Sequence, residues 1–549
     1  MTIRRRNWII AAGVFAAVLV AGVWIAASII MARIEPYARQ TAVRYLSQRF
    51  NSDVELRALR LRLPKVSLLH LILTLGHGAV ARIEGDSLTM RSKDRPGAPP
   101  LFSIHTFSGE VSLDSLLHPP VQVSVVTIDG MEIKIPPRGE RPSLGSSPHA
   151  SNTDKEQDKD KDKKDAKSPS VSFARIQIKN AALVMQPKDP TRTPLRFEIA
   201  NLLLQSVRPG APMKYDVSLR NAKPPGHIHA IGTFGPWSTE DPGDSPVTGD
   251  YTFDNADLGV FNGIAGTLHS TGHFEGQLEA LKVNGEASVP DFRLKRSGNP
   301  VPLMTHFNAL VDGTNGNTIL QPVQATLGST HFTTSGGIIK HQQHQPRVIS
   351  LDVNMPDGNM HDILRLAMKG SPFMEGRLTL KTKLDIPPLS KKVRDKLILD
   401  GTFTVLDGKF VHSTIQDHLD SFSKRARGQA DDPGTPSAVS HMSGEFHLEN
   451  AALHFKRVSF GVPGANLNLH GDYNLDTDAL NFDGALRLQA TVSELVTGWK
   501  SFALKAVDRL FEKRGAGTYL EIQIDGTSKD PNFGVVIAGK KIDVPIHKN

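Results

Sequence analysis

The stretch Leu467–Val492, "LNLHGDYNLDTDALNFDGALRLQATV", decides the fold because its apolar residues alternate with polar ones. Before the turn residues 476–479 the large apolar side chains stand at odd positions, and after the turn they stand at even positions. A period of two is typical of strands that bury one face and expose the other. The apolar set comprises Leu467, Leu469, Tyr473, Leu475, Leu480, Phe482, Leu486, Leu488 and Val492.

A four-residue loop predicts a hairpin in which Leu475 opposes Leu480 and Leu469 opposes Leu486. In that register all the large apolar side chains share one face of the hairpin. Burial of these nine side chains at roughly 1.5–3 kcal/mol each is worth about 15–25 kcal/mol. The pattern therefore predicts that something apolar lies against this face.

Composition narrows the class of protein. The chain has 549 residues, enough for two to four domains, with a net charge of +8 and no cysteine. Without cysteine, disulfides, thiolate metal sites and cysteine nucleophiles are excluded. The basic residues are scattered rather than clustered among aromatic residues, which argues against a nucleic-acid partner.

The N-terminus predicts a membrane anchor. Arg4, Arg5 and Arg6 precede the uncharged apolar stretch Trp8–Met31. At 1.5 Å per residue this stretch reaches about 36 Å as a helix, enough to cross a bilayer core of about 30 Å. The arginines predict that residues 1–7 are cytoplasmic and that the rest of the chain lies beyond the membrane. The alternative is a cleaved signal peptide, although its apolar core is usually shorter.

The region after the anchor begins with a predicted amphipathic helix that carries Ile34, Tyr37, Leu46 and Phe50 on one face. This helix either caps the first strands or lies on the membrane surface. Alternation then begins, with a change of face near Arg57-Ala58 that suggests a β-bulge. Further alternating runs predict strands at residues 103–111, 121–135 and 171–185.

The segment 136–170 includes "SNTDKEQDKDKDKKDAKSPS" and has almost no apolar residues. It is predicted to be a disordered charged linker because it cannot bury enough surface to stay ordered. Beyond it, alternation and turn signals continue to the C-terminus in the manner of an antiparallel meander.

Predicted helices are few in the C-terminal half: Asn359–Lys369, Ser413–Arg427 and Ser493–Arg514. Three or four helices cannot cover the apolar faces of about 25 strands. Two covers remain possible for these faces, namely another sheet or an apolar ligand that is not protein.

No motif predicts catalysis, a metal site or a cofactor. The quartet Gly85–Leu88 matches the signature of a class of serine esterases, but Ser87 stands among strands instead of the alternating helices that an α/β hydrolase needs. The only Asp and His near the C-terminus, Asp543 and His547, are spaced one residue too widely for that class. Two other pairs resemble metal ligands but lack the further donors that a site needs: His341 with His344 is expected in an exposed loop, and Asp476 with Asp478 in a turn.

Three stretches together resemble the AsmA-like proteins of Gram-negative-type bacteria. They are "ARQTAVRYLSQRFNSDVELRALRLRL" (38–63), "GTFGPWSTEDPGDSPVTGDYTFDNADL" (232–258) and "GTYLEIQIDGTSKDPNFGVVI" (517–537). The last contains the alternating strand residues Leu520, Ile522 and Ile524. The resemblance covers most of the chain apart from the charged segment.

The resemblance implies a single-pass inner-membrane protein with a periplasmic body. It also implies a long, twisted, largely antiparallel sheet that curls into an apolar groove, as in the similar bridge-like lipid transfer proteins. Phospholipid acyl chains would then contact the apolar set above together with Leu520, Ile522 and Ile524, and an outer-membrane or other envelope protein is a possible partner. The alternative is a structural or assembly factor for outer-membrane proteins, built of closed β-sandwiches.

These expectations divide the chain as follows: a cytoplasmic N-terminus (1–7), the anchor (8–31), the membrane-proximal helix and first β segment (32–135), the linker (136–170), a central β-groove (171–410) and a C-terminal β-groove with helices (411–549).

Overall fold

The structure is a computed structural model of the whole chain. It describes residues 39–40, 42–44, 46–47, 52–62, 80–93, 99–112, 121–136, 171–186, 193–208, 210–238, 242–313, 316–340, 347–387, 396–411, 413–427, 439–490, 518–527, 530–537 and 540–543. The predicted anchor, all but the first residue of the predicted linker, and the predicted helix Ser493–Arg514 lie outside these residues. Within the described ranges, no helix has the length and apolarity needed to cross a membrane.

The protein is mostly β, as predicted. Strands account for 73% of the described residues, the large sheet is mixed and does not close on itself, and helices are few. Strands β1 to β9 are Ser52–Arg62, Val80–Ser92, Phe102–Ser112, Val121–Ile135, Val171–Met185, Leu195–Val207, Met213–Ala222, Pro225–Phe234 and Pro246–Asp257. Strands β10 to β14 are Ile264–Ala265, Thr267–Gln277, Ala280–Val289, Arg293–Leu294 and Leu303–Val311.

Strands β15 to β26 are Thr318–Leu327, Thr330–Ile339, Val348–Asn359, Met374–Ile386, Ile398–Phe410, Ser440–Glu449, Ala452–Val462, Ala465–Asn474, Ala479–Leu488, Thr518–Thr527, Asp530–Ile537 and Lys540–Asp543. Two α-helices, α1 (Met360–Ala367) and α2 (Ser413–Ala426), confirm two of the three helices predicted in the C-terminal half. Helix α1 begins where predicted, with the Asn359 side chain accepting a hydrogen bond from the backbone N–H of His361 at 3.0 Å.

The chain divides into two compact units. Unit 1 comprises Met1–Ala256, His269–Val283 and Val311–Gly316, and unit 2 comprises Asp257–Leu268, Asn284–Leu310 and Asn317–Asn549.

In unit 1, the side chains of strands β1 to β5 pack into one buried cluster together with those of the helical segment described below. Leu88, Ile104, Val126, Ile128 and Ile176 are each at most 2% exposed. A residue this deeply buried has its apolar surface covered on all sides, so no room for a guest molecule remains beside it.

The helical segment formed by residues 39–40, 42–44 and 46–47 belongs to this core. Ala42 and Leu46 are buried with the strand side chains, and Val43 packs against them. Of the two alternatives predicted for this helix, the structure therefore supports packing on the first strands.

The change of face predicted near Arg57-Ala58 occurs, but it is not a bulge. Leu56 pairs with Leu88 and Ala58 pairs with Asp86, so the register is the same on both sides of the change. Both strands change face at the same place, where Ser87 adopts a left-handed φ of 52°. Neither strand needs an extra residue, because the side chains of both strands change to the other face of the sheet at the same position.

Strands β1 to β9 pair antiparallel in sequence order except at one pair. Strands β4 and β5 run parallel, with Val121 opposite Val171 and Ile135 opposite Met185. These are the two strands that flank the predicted linker. A parallel pair requires the connecting chain to return along the full length of the strand, which a tight turn cannot do.

In unit 2, strands β15 to β26 pair in sequence order and antiparallel, which confirms the predicted meander. The two helices pack at the ends of these strands. Helix α1 packs against the buried Met355, Leu378 and Val405, and α2 contributes the fully buried Ala426 to a second cluster.

Candidate functional site

The hairpin predicted within Leu467–Val492 forms from β22 and β23, but its register differs from the prediction by two residues. Tyr473 lies opposite Leu480 and Leu467 opposite Leu486. Leu475 leaves the ladder, and its N–H donates to the carbonyl of Ala451 at 2.9 Å. Since the side-chain period is two, a shift of two residues keeps every apolar side chain on the predicted face.

The turn chemistry explains the shift. The Asn474 side chain accepts hydrogen bonds from the N–H groups of Asp476 and Thr477, at 2.9 and 3.0 Å, which is an Asx turn. Asp478 has a left-handed φ of 58°, and its carboxylate accepts a hydrogen bond from the Tyr473 hydroxyl at 2.9 Å. The turn thus begins one residue earlier than alternation suggests. Asp476 and Asp478 serve in this turn, as interpreted from the sequence.

On this face of unit 2 the paired residues form four rungs that run across the strands. The first rung is Leu378, Val405, Met442, Phe460, Leu467, Leu486 and Leu520. The second is Met355, Leu380, Phe403, Gly444, Val458, Leu469, Gly484, Ile522 and Val535.

The third rung is Val353, Thr382, Gly401, Phe446, Phe455, Gly471, Phe482, Ile524 and Phe533. The fourth is Leu351, Leu384, Leu399, Leu448, Leu453, Tyr473, Leu480, Gly526 and Pro531. We call these four rungs the apolar face of unit 2. Among all their members, only Thr382 and Tyr473 carry a polar side-chain atom.

The apolar face is covered at one end and partly exposed elsewhere. Val405 in the first rung is 1% exposed and packs in the cluster with α1. Leu488, one step beyond the first rung, is 2% exposed and packs with α2. In the second to fourth rungs most large side chains stay partly exposed, the buried exceptions being Met355, Leu448 and Ile524.

Aromatic rings line the middle of this face. The ring centroid of Phe403 lies 6.2 Å from that of Phe446 and 6.4 Å from that of Phe455, and Phe455 lies 5.8 Å from Phe482. Such a chain of rings is a smooth apolar surface with no hydrogen-bonding group along it.

The opposite face of the same strands is charged. His447 and Asp400 lie 2.6 Å apart, and so do His454 and Asp472. Lys541 contacts Asp525 at 2.6 Å, and that hydrogen bond is the main cause that lowers the pKa of Asp525. The sheet of unit 2 therefore has one charged face, which water solvates well, and one apolar face, whose contact with water is unfavourable.

Unit 1 carries a similar surface on strands β6 to β9. Leu202, Val217 and Tyr251 lie on one rung, and Leu219 and Phe253 lie on the next. All five are partly exposed. These rungs continue from Ile178 and Ala181 of β5, which are buried at 2% and 4% exposure.

The apolar side of β7 is poorly hydrated. Burial, followed by the charge of Asp250, raises the pKa of the Tyr215 phenol to about 12. Its hydroxyl donates to the carbonyl of Thr248 at 3.2 Å. A phenol whose ionised form is disfavoured in this way stands in surroundings of low polarity.

The residues predicted to face lipid are thus largely brought together. Leu467, Leu469, Tyr473, Leu480, Phe482, Leu486, Leu520, Ile522 and Ile524 lie on the four rungs, and Leu488 lies beside α2. Leu475 lies in the turn, so its predicted place in the ladder is wrong. Val492 lies outside the described residues.

Strands β17 to β21 also contribute to this face, which the sequence pattern did not indicate. Leu351, Leu384, Leu399, Phe446 and Leu453 share rungs with the predicted set. Their alternation was visible in the sequence, but the bulges at Met355/Gly358, Glu375/Arg377 and Val405/Gly408 hide which residues share a rung.

The remaining motifs gain no support as sites. Ser87 lies within β2, among strands as the sequence indicates. His341, His344 and His547 lie outside the described residues. In the part of the chain that the structure describes, no three His, Asp or Glu side chains are grouped as metal ligands.

Comparison with known proteins identifies no relative. No family model matches the sequence, and no curated protein or solved structure is significantly similar to it.

Proposed function

We propose that the chain is a membrane-anchored lipid-handling protein of the cell envelope, whose apolar faces shield phospholipid acyl chains while the headgroups stay in water. The observation that carries this proposal is the partial exposure of the second to fourth rungs, in which almost every side chain is apolar across nine strands. Exposed apolar area of this extent is rare on soluble monomers and marks a surface with a partner.

The energetics favour an acyl chain as that partner. Each CH₂ group moved from water onto an apolar surface is stabilised by about 0.8 kcal/mol. Strands lie about 4.8 Å apart, so a rung of nine strands extends about 40 Å along the sheet, more than the depth of half a bilayer core at about 15 Å. A rung is thus longer than a whole acyl chain. In the proposal, the lipid moves along the rungs passively, without an energy source in this chain.

The proposal includes the expectations drawn from the resemblance. The chain belongs to the AsmA-like class, residues 8–31 anchor it in the inner membrane, the body is periplasmic, and the sheet curls into a groove. It is not an enzyme and needs no cofactor. Its partners are phospholipid and, at the far end, an envelope protein.

The filled core of β1 to β5 favours the alternative for that part of the chain, namely a structural or assembly role based on closed β-sandwiches. Val111, Ile128 and Ala81 are 0% exposed, as in a closed domain that acts through its outer surface. In the proposal these strands hold the membrane-proximal part together, and the guest lies against β6 and the strands that follow.

Photo-cross-linking of the full-length chain in cells tests the proposal. Benzoylphenylalanine replaces Phe455 or Phe482 on the apolar face, and His454 or Asp483 on the opposite face provides the matched control. We expect phospholipid adducts by mass spectrometry at the two phenylalanine positions alone. Equal labelling on both faces, or well-folded protein without adducts at Phe455 and Phe482, would contradict the proposal.

A further inference from the structure

A second surface, away from the apolar rungs, lies beside the helical segment of unit 1. An open depression of about 890 Å³ lies between this segment and strands β1 and β2, and we call it the arginine cavity. Arg39, Arg44 and Arg57 line it, together with the apolar Val43 and Leu56. Its size is in the range of pockets that hold small molecules.

The charges around this cavity are unbalanced. In the described part of the chain no carboxylate forms an ion pair with Arg39, Arg44 or Arg57, and Arg39 donates only to the carbonyl oxygen of Arg57, at 3.0 Å. The one acidic side chain in the lining, Glu55, accepts a hydrogen bond from Thr89 at 3.5 Å.

Neighbouring arginines on the same two strands behave differently. Arg60 lies 3.3 Å from Asp86, and Arg62 and Arg82 lie 3.1 and 3.2 Å from Glu84. Arg60, Arg62 and Arg82 are thus each paired with a carboxylate of β2, while the arginines that line the cavity have no carboxylate partner among the described residues. Three guanidinium groups with one carboxylate leave a net positive site.

We infer that this cavity binds a phosphate-bearing anion, with the guanidinium groups of Arg39, Arg44 and Arg57 on the phosphate and Val43 and Leu56 on an attached apolar group. Guanidinium forks match the oxygen geometry of phosphate, and such charge-assisted hydrogen bonds are about twice as strong as neutral ones. Ser47 and Ser87 supply additional hydroxyl groups in the lining.

The position along the chain favours a lipid headgroup as the source of the phosphate. Only residues 32–38 separate Arg39 from the end of the predicted anchor at Met31. Even a fully extended connection of this length reaches no more than about 25–30 Å, so the cavity stays near the membrane surface. This last step rests on the proposed function, whereas the anion chemistry of the cavity does not.

The test is isothermal titration calorimetry on the full-length chain in detergent. The probes are dihexanoyl phosphatidylglycerol, the phosphate-free dihexanoylglycerol, and inorganic phosphate. The double variant Arg44→Gln/Arg57→Gln is compared with the control Arg175→Gln/Arg365→Gln, which removes the same charge at exposed positions. The thermal unfolding midpoint of each variant verifies that it is folded.

We expect the pocket variant to bind the phospholipid probe at least tenfold more weakly, and the control variant to stay within twofold of the wild type. Tight binding of the phospholipid with weak binding of inorganic phosphate assigns the headgroup as ligand, whereas equal binding of both assigns a free phosphate compound. Unchanged affinity in the folded pocket variant, or equal affinity for dihexanoylglycerol, overturns the inference.

The two proposals fail separately. Short-chain probes report on the arginine cavity, and the cross-links at Phe455 and Phe482 report on the apolar face. Loss of one signal without the other shows which proposal is wrong.

Discussion

Phe403 and Gly444 lie directly opposite each other on β19 and β20, and the phenyl ring covers the glycine. A Cβ atom on Gly444 would lie 2.6 Å from Cε1 of that ring. The relationship is reciprocal, because Phe446 covers Gly401 two residues further along the pair, where a Cβ would lie 2.9 Å from its Cζ atom. Each ring fills the space that the missing side chain leaves on the apolar face.

Replacement of this glycine is expected to displace the ring. Gly444→Ala should lower the free energy of unfolding by about 1–3 kcal/mol, because an added methyl group is forced against a packed ring and the carbonyl of Arg457. Gly109→Ala is the control, since its Cβ would meet only Val126 at 3.9 Å. Thermal melts of the two variants measure the difference, and equal midpoints would contradict the packing described.

Two leucines on one strand distinguish the covered from the exposed part of the apolar face. Leu480 and Leu488 both lie on β23 with their side chains on the same face, yet Leu480 is partly exposed and Leu488 is 2% exposed beside α2. Leu488→Asp should prevent folding of unit 2, because an unpaired buried charge costs several kcal/mol.

Leu480→Asp should leave the far-ultraviolet circular dichroism spectrum and the melting midpoint close to those of the wild type. It should also reduce the phospholipid that co-purifies with the full-length chain. Asn481→Asp, on the opposite face of the same strand, is the control for the added charge. If Leu480→Asp unfolds the protein as Leu488→Asp does, the face is a closed core and the lipid proposal is wrong.

One ion pair on the charged face predicts a pH dependence. The hydrogen bond to Asp400 is the main cause that raises the pKa of His447, and Glu449 adds to it. A raised pKa in the folded state gives stability that is complete below the unfolded value of about 6.5 and is lost as the pH rises through the folded value.

From about pH 6.5 upward the wild type should lose less than about 1 kcal/mol of unfolding free energy through this exposed pair, and its melting midpoint should drop accordingly. The His447→Gln variant should lack that part of the drop. Asp400→Asn should do the same, because it removes the partner instead of the imidazole. A drop that is identical in the wild type and both variants would show that the pair is not formed in solution.

The buried carboxylate of Asp362 holds α1 in place. Its Oδ2 atom accepts hydrogen bonds from the N–H of Ser329 at 2.8 Å, the hydroxyl of Ser329 at 2.7 Å and the hydroxyl of Thr330 at 3.0 Å. Asp362→Ala should cost about 2–3 kcal/mol by leaving these donors unsatisfied, and Asp362→Asn should cost less. Asp357→Ala, at an exposed position of β17, is the control in the same urea titrations.

The sequence was sufficient to predict strands, faces and two of the helices, because alternation and caps are local signals. It was insufficient for the hairpin register, where Asn474 satisfies two backbone N–H groups and starts the turn early. Nor could it separate Ile178, which is buried, from Val217, which is partly exposed, since both stand in equally regular alternating runs. Whether a distant part of the chain covers a strand cannot be predicted from the residues of that strand alone.

The parallel pairing of β4 and β5 sets a minimum length for the segment between them. From Ile135 the chain must return to Val171, next to the start of β4, over about 45–50 Å. About 15 extended residues suffice for that distance, and 35 are present. Loop entropy changes by only about 0.6 kcal/mol for each doubling of length, so a moderate change in the length of this segment is expected to cost little stability. Only a cut below the minimum reach would force the two strands apart.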